Sequence, residues 1–362
     1  MRITEESVKK ALSGVVDVNT GKDLVSSEMI RKIRIDGASV QVFIELPYPA
    51  KSQWGSIEKQ VVDALQEMPG IESVDVEIRS AIRTHAVQGM LRPMSNVKNI
   101  IAVASGKGGV GKSTVAVNLA LALSAEGARV GILDADIHGP SQPMMLGLNE
   151  KPQSSDGQTF DPLEKYGVQI ISIGLMIDPD EPVIWRAPVV TQALVQLLEK
   201  TNWHDLDYLI VDLPPGTGDI QLTLSQRFPV TGAVIVTTPQ DIALLDAKKG
   251  LVMFEKVNIP VLGIIENMSQ HICSHCGHSE PIFGEHGAKE MSETYGVEIL
   301  GELPLQLSVR EQGDAGIPPV VADPDGVVSQ LFMTMARRLA AKISQKARDK
   351  SSRLPPVVME KS

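Results

Sequence analysis

Along the first eighty residues the apolar positions change period repeatedly, and each change marks an element. Thr4 precedes Val8, Leu12 and Val15 at helical spacing, and its hydroxyl predicts an N-cap. Apolar and polar residues then alternate through Ile33, Ile35, Val40, Val42 and Ile44, and a break at Asp36-Gly37 turns that alternation into a hairpin. Ile57, Val61, Val62, Leu65 and Met68 return to helical spacing until Pro69-Gly70 stops them. Val74, Val76 and Ile78 give a last strand. Residues 1–80 therefore predict a small α+β domain with a β-β-α-β core. Residues 81–98 show no period and read as a linker.

From Asn99 the pattern changes. Short apolar runs at Ile100–Ala104, Val130–Leu133, Ile170–Ile173, Tyr208–Val211, Ala233–Val236 and Val261–Ile265 alternate with helical segments. Runs of that kind predict a mostly parallel sheet with helices on both faces, an α/β domain over residues 99–345. The polar stretch from Lys151 to Tyr166 reads as a surface loop. A final helix from about Val327 to Lys346 carries an apolar stripe of Val328, Leu331, Met335, Leu339 and Ile343. Its basic residues Arg337, Arg338, Lys342 and Lys346 read as a solvated end, leading into a basic, flexible tail over 346–362.

Composition narrows the partners. The chain has 362 residues, a formal net charge of −10 and a pI near 5.3. So acidic a surface argues against nucleic acid and against stable membrane association. Apolar runs fall short of the roughly 18 residues a membrane-spanning helix needs. The N-terminus shows no apolar leader, and Cys273 and Cys276 are the only cysteines, so a reducing compartment, the cytoplasm, is expected.

The chemistry concentrates in Gly106-Lys107-Gly108-Gly109-Val110-Gly111-Lys112-Ser113-Thr114, which fits the phosphate-loop pattern G-x-x-x-x-G-K-[ST]. An apolar strand precedes it, and a helix with Val115, Leu119, Ala122 and Leu123 on one face follows, ending at Gly127. The glycines let backbone N–H groups turn toward phosphate oxygens at a helix N-terminus. Lys112 is expected to reach the β- and γ-phosphates, and the Ser113 hydroxyl to ligate Mg²⁺. Two strand ends supply carboxylates, Asp212 after Tyr208–Val211, and Asp134 and Asp136 after Gly131–Leu133. The loop Pro214-Pro215-Gly216-Thr217-Gly218-Asp219 is placed to sense a γ-phosphate.

The additional lysine, Lys107, makes the loop resemble that of the MinD/ParA and nitrogenase-reductase group. The resemblance implies a homodimer in which Lys107 reaches the partner's ATP. Glu266-Asn267-Met268-Ser269, Cys273-Ser274-His275-Cys276-Gly277, Asp134-Ala135-Asp136-Ile137-His138-Gly139-Pro140-Ser141 and Leu303-Pro304-Leu305 resemble the Mrp/ApbC branch of iron–sulfur carrier ATPases, over roughly Lys98 to Ala341. By that resemblance Asp136 orients the attacking water, Asp134 and Asp212 sit near Mg²⁺, and Asn267 contacts adenine. Residues 1–80 resemble the small domain often fused ahead of such ATPases, but Pro47-Tyr48-Pro49-Ala50-Lys51 lacks the cysteine that domain often carries. Trp185-Arg186-Ala187-Pro188 has alanine where the family usually has glycine.

Read by themselves, the cysteines leave the cargo open. Thiolate sites usually want four ligands, and one chain offers two, so an all-cysteine site needs two chains. His271, His275 and His278 flank the pair and keep zinc in play; a redox disulfide is a third reading. The resemblance favours a [4Fe–4S] cluster bridged by Cys273 and Cys276 of two chains. It implies an ATP-hydrolysing carrier that delivers the cluster to apo iron–sulfur proteins. The alternatives are a positioning switch that binds membrane or DNA in its ATP state, motivated by the basic tail, and an ATPase with structural zinc.

Overall fold

The computed structural model describes residues 3–89, 91–137, 139–176, 187–273, 275–285 and 287–347. Residues 348–362 of the expected tail, His138 and Trp185-Arg186 lie outside the described residues. Helix α1, Glu5–Leu12, starts at a reciprocal cap: the Thr4 hydroxyl accepts from the Ser7 amide at 3.2 Å, and the Ser7 hydroxyl from the Thr4 amide at 3.0 Å. Strands β1, Ile30–Asp36, and β2, Ser39–Leu46, pair antiparallel around Gly37, whose φ is +59°. Helix α2, Trp54–Gln66, buries Ile57, Val61 and Leu65, and returns the chain to β3, Ser73–Ser80, parallel to β2. The observed sheet order is β1-β2-β3.

Among the described residues of 81–96 there is neither helix nor long strand, yet the segment is pinned. The Ala81 amide donates to Leu46 at 2.8 Å, and the Ala86 amide to Ala347 at 3.0 Å. Buried His85 places Nδ1 3.0 Å from Asn99 Oδ1, and buried Gln88 donates to the carbonyls of Ser225 and Phe228. Irregular backbone is tolerated here because carbonyls elsewhere in the chain, and the Asn99 side chain at the Arg83 carbonyl, meet its polar groups.

The large sheet is built from β4 (Val97–Ser105), β5 (Val130–Asp134), β6 (Leu163–Lys165), β7 (Val168–Ser172), β8 (Leu206–Asp212), β9 (Gly232–Thr237), β10 (Val261–Ile272), β11 (Ser279–Glu280) and β12 (Ile299–Leu305). Its order is β11-β10-β9-β4-β8-β5-β7-β6, with β12 also paired to β10. All pairs are parallel except β6 with β7 and β10 with β11. Its central strands are buried along nearly their whole length, Lys98 at the start of β4 excepted, which explains why they read as apolar runs. Helices α3 (Lys112–Ala125) and α11 (Val327–Ser344) cover one face; α5 (Ala187–Lys200) and α7 (Asp241–Lys256) cover the other. One apolar cluster runs unbroken from Val8, Val40 and Leu65 to Val115, Leu119 and Leu339, so the two units share a core.

Three expectations change, the first being that the stretch Lys151–Tyr166, read as a surface loop, ends in β6 because Leu163–Lys165 pairs with the neighbouring β7. Arg337, read as part of a solvated basic end, is 8% exposed and donates to Glu126 at 2.5 Å. The charge is tolerated because α11 lies against the C-terminal end of α3, where Glu126 is itself buried. The strand expected to end near Ile265 continues to Ile272, because its polar second half sits at the sheet end and pairs with β11 and β12.

Candidate functional sites

The phosphate loop leaves β4 at Ser105 and enters α3 at Lys112, at the C-terminal ends of the parallel strands, where open α/β sheets bind ligands. Gly109 and Gly111 take φ of +83° and +84°, a region a side chain rarely adopts. Gly106 is needed for a different reason. A Cβ there would lie 2.1 Å from the carbonyl carbon of Asp246 in α7. Lys107 is exposed on the loop, and the Ser105 hydroxyl donates to its carbonyl at 2.9 Å.

Lys112 is buried, and its Nζ lies 2.5 Å from Asp212, 3.4 Å from Asp136 and 3.2 Å from the Ser113 hydroxyl. Asp134 accepts from the amides of Asp136 and Gln142 at 3.2 and 3.1 Å, and from the Ser172 hydroxyl at 3.0 Å. Burial, with the nearby charge of Asp212, holds the Asp134 carboxyl above the ordinary range. A hard cation suits such a set of carboxylate and hydroxyl oxygens. One buried oxygen, Asp136 Oδ1, also has no hydrogen-bond partner among the described residues.

The cleft around this loop has a volume of about 520 Å³ and takes in Lys107, Lys112, Asp136, Asn267, Leu305 and Arg310. Asn267, expected against adenine, donates from Nδ2 to the Val110 carbonyl at 2.9 Å, which ties the loop to β10. Met268, Leu305 and Val309 give the cleft an apolar side where a base can sit. Pro215 lines the cleft as well, and the Gly216 amide donates to the Ser105 carbonyl at 2.9 Å, bringing the Pro214–Asp219 loop to the phosphate loop.

Sequence reasoning missed Gln142. It is fully buried at the start of the short helix α4, Gln142–Met145, and its Nε2 donates to the Ser113 carbonyl at 3.0 Å and to Asp212 at 2.9 Å. No periodicity marks it; the only signal is its place just after the Asp134–Ser141 motif.

The thiols lie at a different place on the sheet. Past the sheet end, β10 and β11 form a two-residue ribbon pairing His271 with Glu280 and Ile272 with Ser279. Its tip carries half-buried Cys273 and exposed Cys276. The Cys273 amide donates to the His278 carbonyl, and the Gly277 amide to the Cys273 carbonyl, both at 2.9 Å. Amides of His275 and Cys276, and the Cys276 thiol, hold the Cys273 thiol below its ordinary range, which favours the ligating thiolate. His271 faces Glu280 at 3.7 Å. Among the described residues no cluster of three or more His, Cys, Asp or Glu is placed to hold a metal ion.

A glycine loop opening a helix at the sheet's carboxyl edge, with a buried lysine and strand-end carboxylates, defines a P-loop NTPase carrying a second lysine in its loop. Residues 96–340 match the family described as NUBPL iron-transfer P-loop NTPase, and the chain belongs to that family. Residues 5–78 match the family described as iron-sulfur cluster assembly protein. A curated relative from Pseudomonas fragi, an iron-sulfur cluster carrier protein, is 55% identical over 275 residues, 75% of this chain and 96% of that one. A protein of the same name from Escherichia coli strain K12 is 51% identical over 306 residues, covering 84% and 83%. Among solved structures, a nucleotide-binding protein from Archaeoglobus fulgidus in complex with ADP is 37% identical with a TM-score of 0.56, over 64% of this chain and 90% of that one. The cell-division ATPase MinD from Pyrococcus furiosus, 23% identical with a TM-score of 0.51 over 67% and 98%, shares the fold.

Proposed function

We propose that the protein binds and hydrolyses ATP and carries a [4Fe–4S] cluster between two copies of itself, for delivery to apo iron–sulfur proteins. The observation that carries this reading is the ribbon tip, where Cys273 and Cys276 present two accessible thiols in a chain that belongs to an iron-transfer NTPase family. Two thiols are half of an iron–sulfur ligand set, so a second copy completes it. A cluster held by an accessible tip is open to a client.

At the nucleotide the work is positioning and charge stabilisation. Amides of Gly108 through Thr114 cradle the phosphates, and Lys112 neutralises the charge that develops on them. Mg²⁺, held through Ser113 with Asp134 and Asp212 nearby, would supply further charge stabilisation. Asp136 orients water, Asn267 and the apolar side of the cleft seat the base, and exposed Lys107 reaches the partner's nucleotide. Hydrolysis then reopens the dimer. The cytoplasm is the compartment this chemistry suits.

The test is anaerobic reconstitution of the whole chain with iron and sulfide, followed by metal analysis, absorbance and mass. About four irons and four sulfides per dimer are expected for one cubane cluster, lost in Cys273→Ser. Activation of an apo iron–sulfur enzyme by the loaded protein completes the case. Zinc in place of iron, with no cluster absorbance, would make the thiols a structural metal site and end the carrier reading.

A further inference from the structure

Gln142 presents an unusual balance. Both neighbours of its amide nitrogen are acceptors, the Ser113 carbonyl at 3.0 Å and the Asp212 carboxylate at 2.9 Å. The orientation of the amide follows from that chemistry, since a flip would set oxygen against oxygen. Its backbone amide donates to Asp134 at 3.1 Å. One residue therefore joins the phosphate loop, the end of β8 and the end of β5. It also closes the loop that carries Asp136, which leaves β5 at Asp134 and returns at α4. Gln142 Oε1 is buried without a hydrogen-bond partner among the described residues, and such an atom is costly unless something donates to it. Asp136 Oδ1, on the same loop, is in the same position.

We propose that Gln142 is a positioning residue for the magnesium site. Its amide N–H groups hold Asp212 and the Ser113 carbonyl in register, and its Oε1 accepts a hydrogen bond from water in the metal's hydration shell. Mg²⁺ commonly keeps several of its waters in proteins, so a buried acceptor beside its carboxylates has a natural donor. Outer-shell groups of this kind orient the groups that touch a metal. This inference rests on reading the loop cleft as a Mg²⁺–nucleotide site.

The experiment measures ADP affinity with a fluorescent analogue, with and without Mg²⁺, in the wild type, Gln142→Met and Gln142→Glu, with urea unfolding to confirm that each folds. Methionine keeps the volume and removes both amide functions; glutamate keeps the acceptor but removes the donor to Asp212 and the Ser113 carbonyl. In Gln142→Met the gain in affinity from Mg²⁺ is expected to fall about tenfold, the scale of an outer-shell loss, a larger fall than that of the Mg²⁺-free affinity. In Gln142→Glu the gain is expected to fall as well, because a carboxylate oxygen replaces the nitrogen that donates to Asp212 and to the Ser113 carbonyl. A Mg²⁺ gain in either variant equal to the wild type's, or a loss of affinity that is the same with and without Mg²⁺, would overturn the inference. A wild type whose ADP affinity ignores Mg²⁺ would instead overturn the site reading beneath it.

Discussion

Lys112 is a buried cation of the cleft, its one ammonium facing two carboxylates, Asp212 and Asp136. Replacing it with methionine is expected to lower ATP turnover by about a hundredfold or more, the usual cost of removing a donor aimed at developing charge. Steady-state phosphate release measures it. Glu45 is the corresponding centre of the small unit. Burial would raise its carboxyl, but Arg79, Arg31 and Arg83 outweigh that and hold it below the ordinary range. A depressed carboxylate adds stability that is present above its unfolded pKa, about 4.3, and is lost as pH falls through the folded value. Glu45→Gln is therefore expected to lower the urea midpoint at pH 7, with the gap to the wild type closing as the pH drops below about 4. At this scale the sequence was half legible. Lys112, Asp134 and Asp212 stand out through motif and strand ends, whereas Gln142 is one glutamine at the start of a short helix, singled out only by what lies across from it.

Among elements, the phosphate loop packs closely against α7 at Gly106. Gly106→Ala sets a methyl against the Asp246 backbone, which cannot swing aside as a side chain does. A loss of about 1–3 kcal/mol in urea unfolding is expected, the range for overpacking. The far end of α3 carries a second junction. Buried Glu126 accepts from Arg337 at 2.5 Å and from the Ser52 amide and hydroxyl at 2.9 and 2.6 Å, joining α3, α11 and the turn before α2. Glu126→Ala strands the Arg337 charge and is expected to cost about 3–5 kcal/mol, with part recovered in the Glu126→Ala/Arg337→Met double variant. Neither junction is visible in periodicity. The extent of β10 was hidden for a related reason: its polar end pairs with strands that lie later in the chain, so it lacks the apolar signature of a buried run.

For the whole molecule, the shared apolar cluster and the pinned segment 81–96 argue that residues 1–80 and the P-loop unit unfold together. Calorimetry of the full chain is expected to give one transition; two well-separated transitions would show the units to be independent. By itself the sequence determined the period of each element, the α/β class, the phosphate loop and the pair of thiols, because these depend on residues a few positions apart. The tertiary structure alone decided which charges meet. Lys112 and Asp212 are 100 residues apart, Gln142 and Asp212 are 70, and Glu126 and Arg337 are 211. Strand order and helix packing bring those partners together, and no local pattern encodes either.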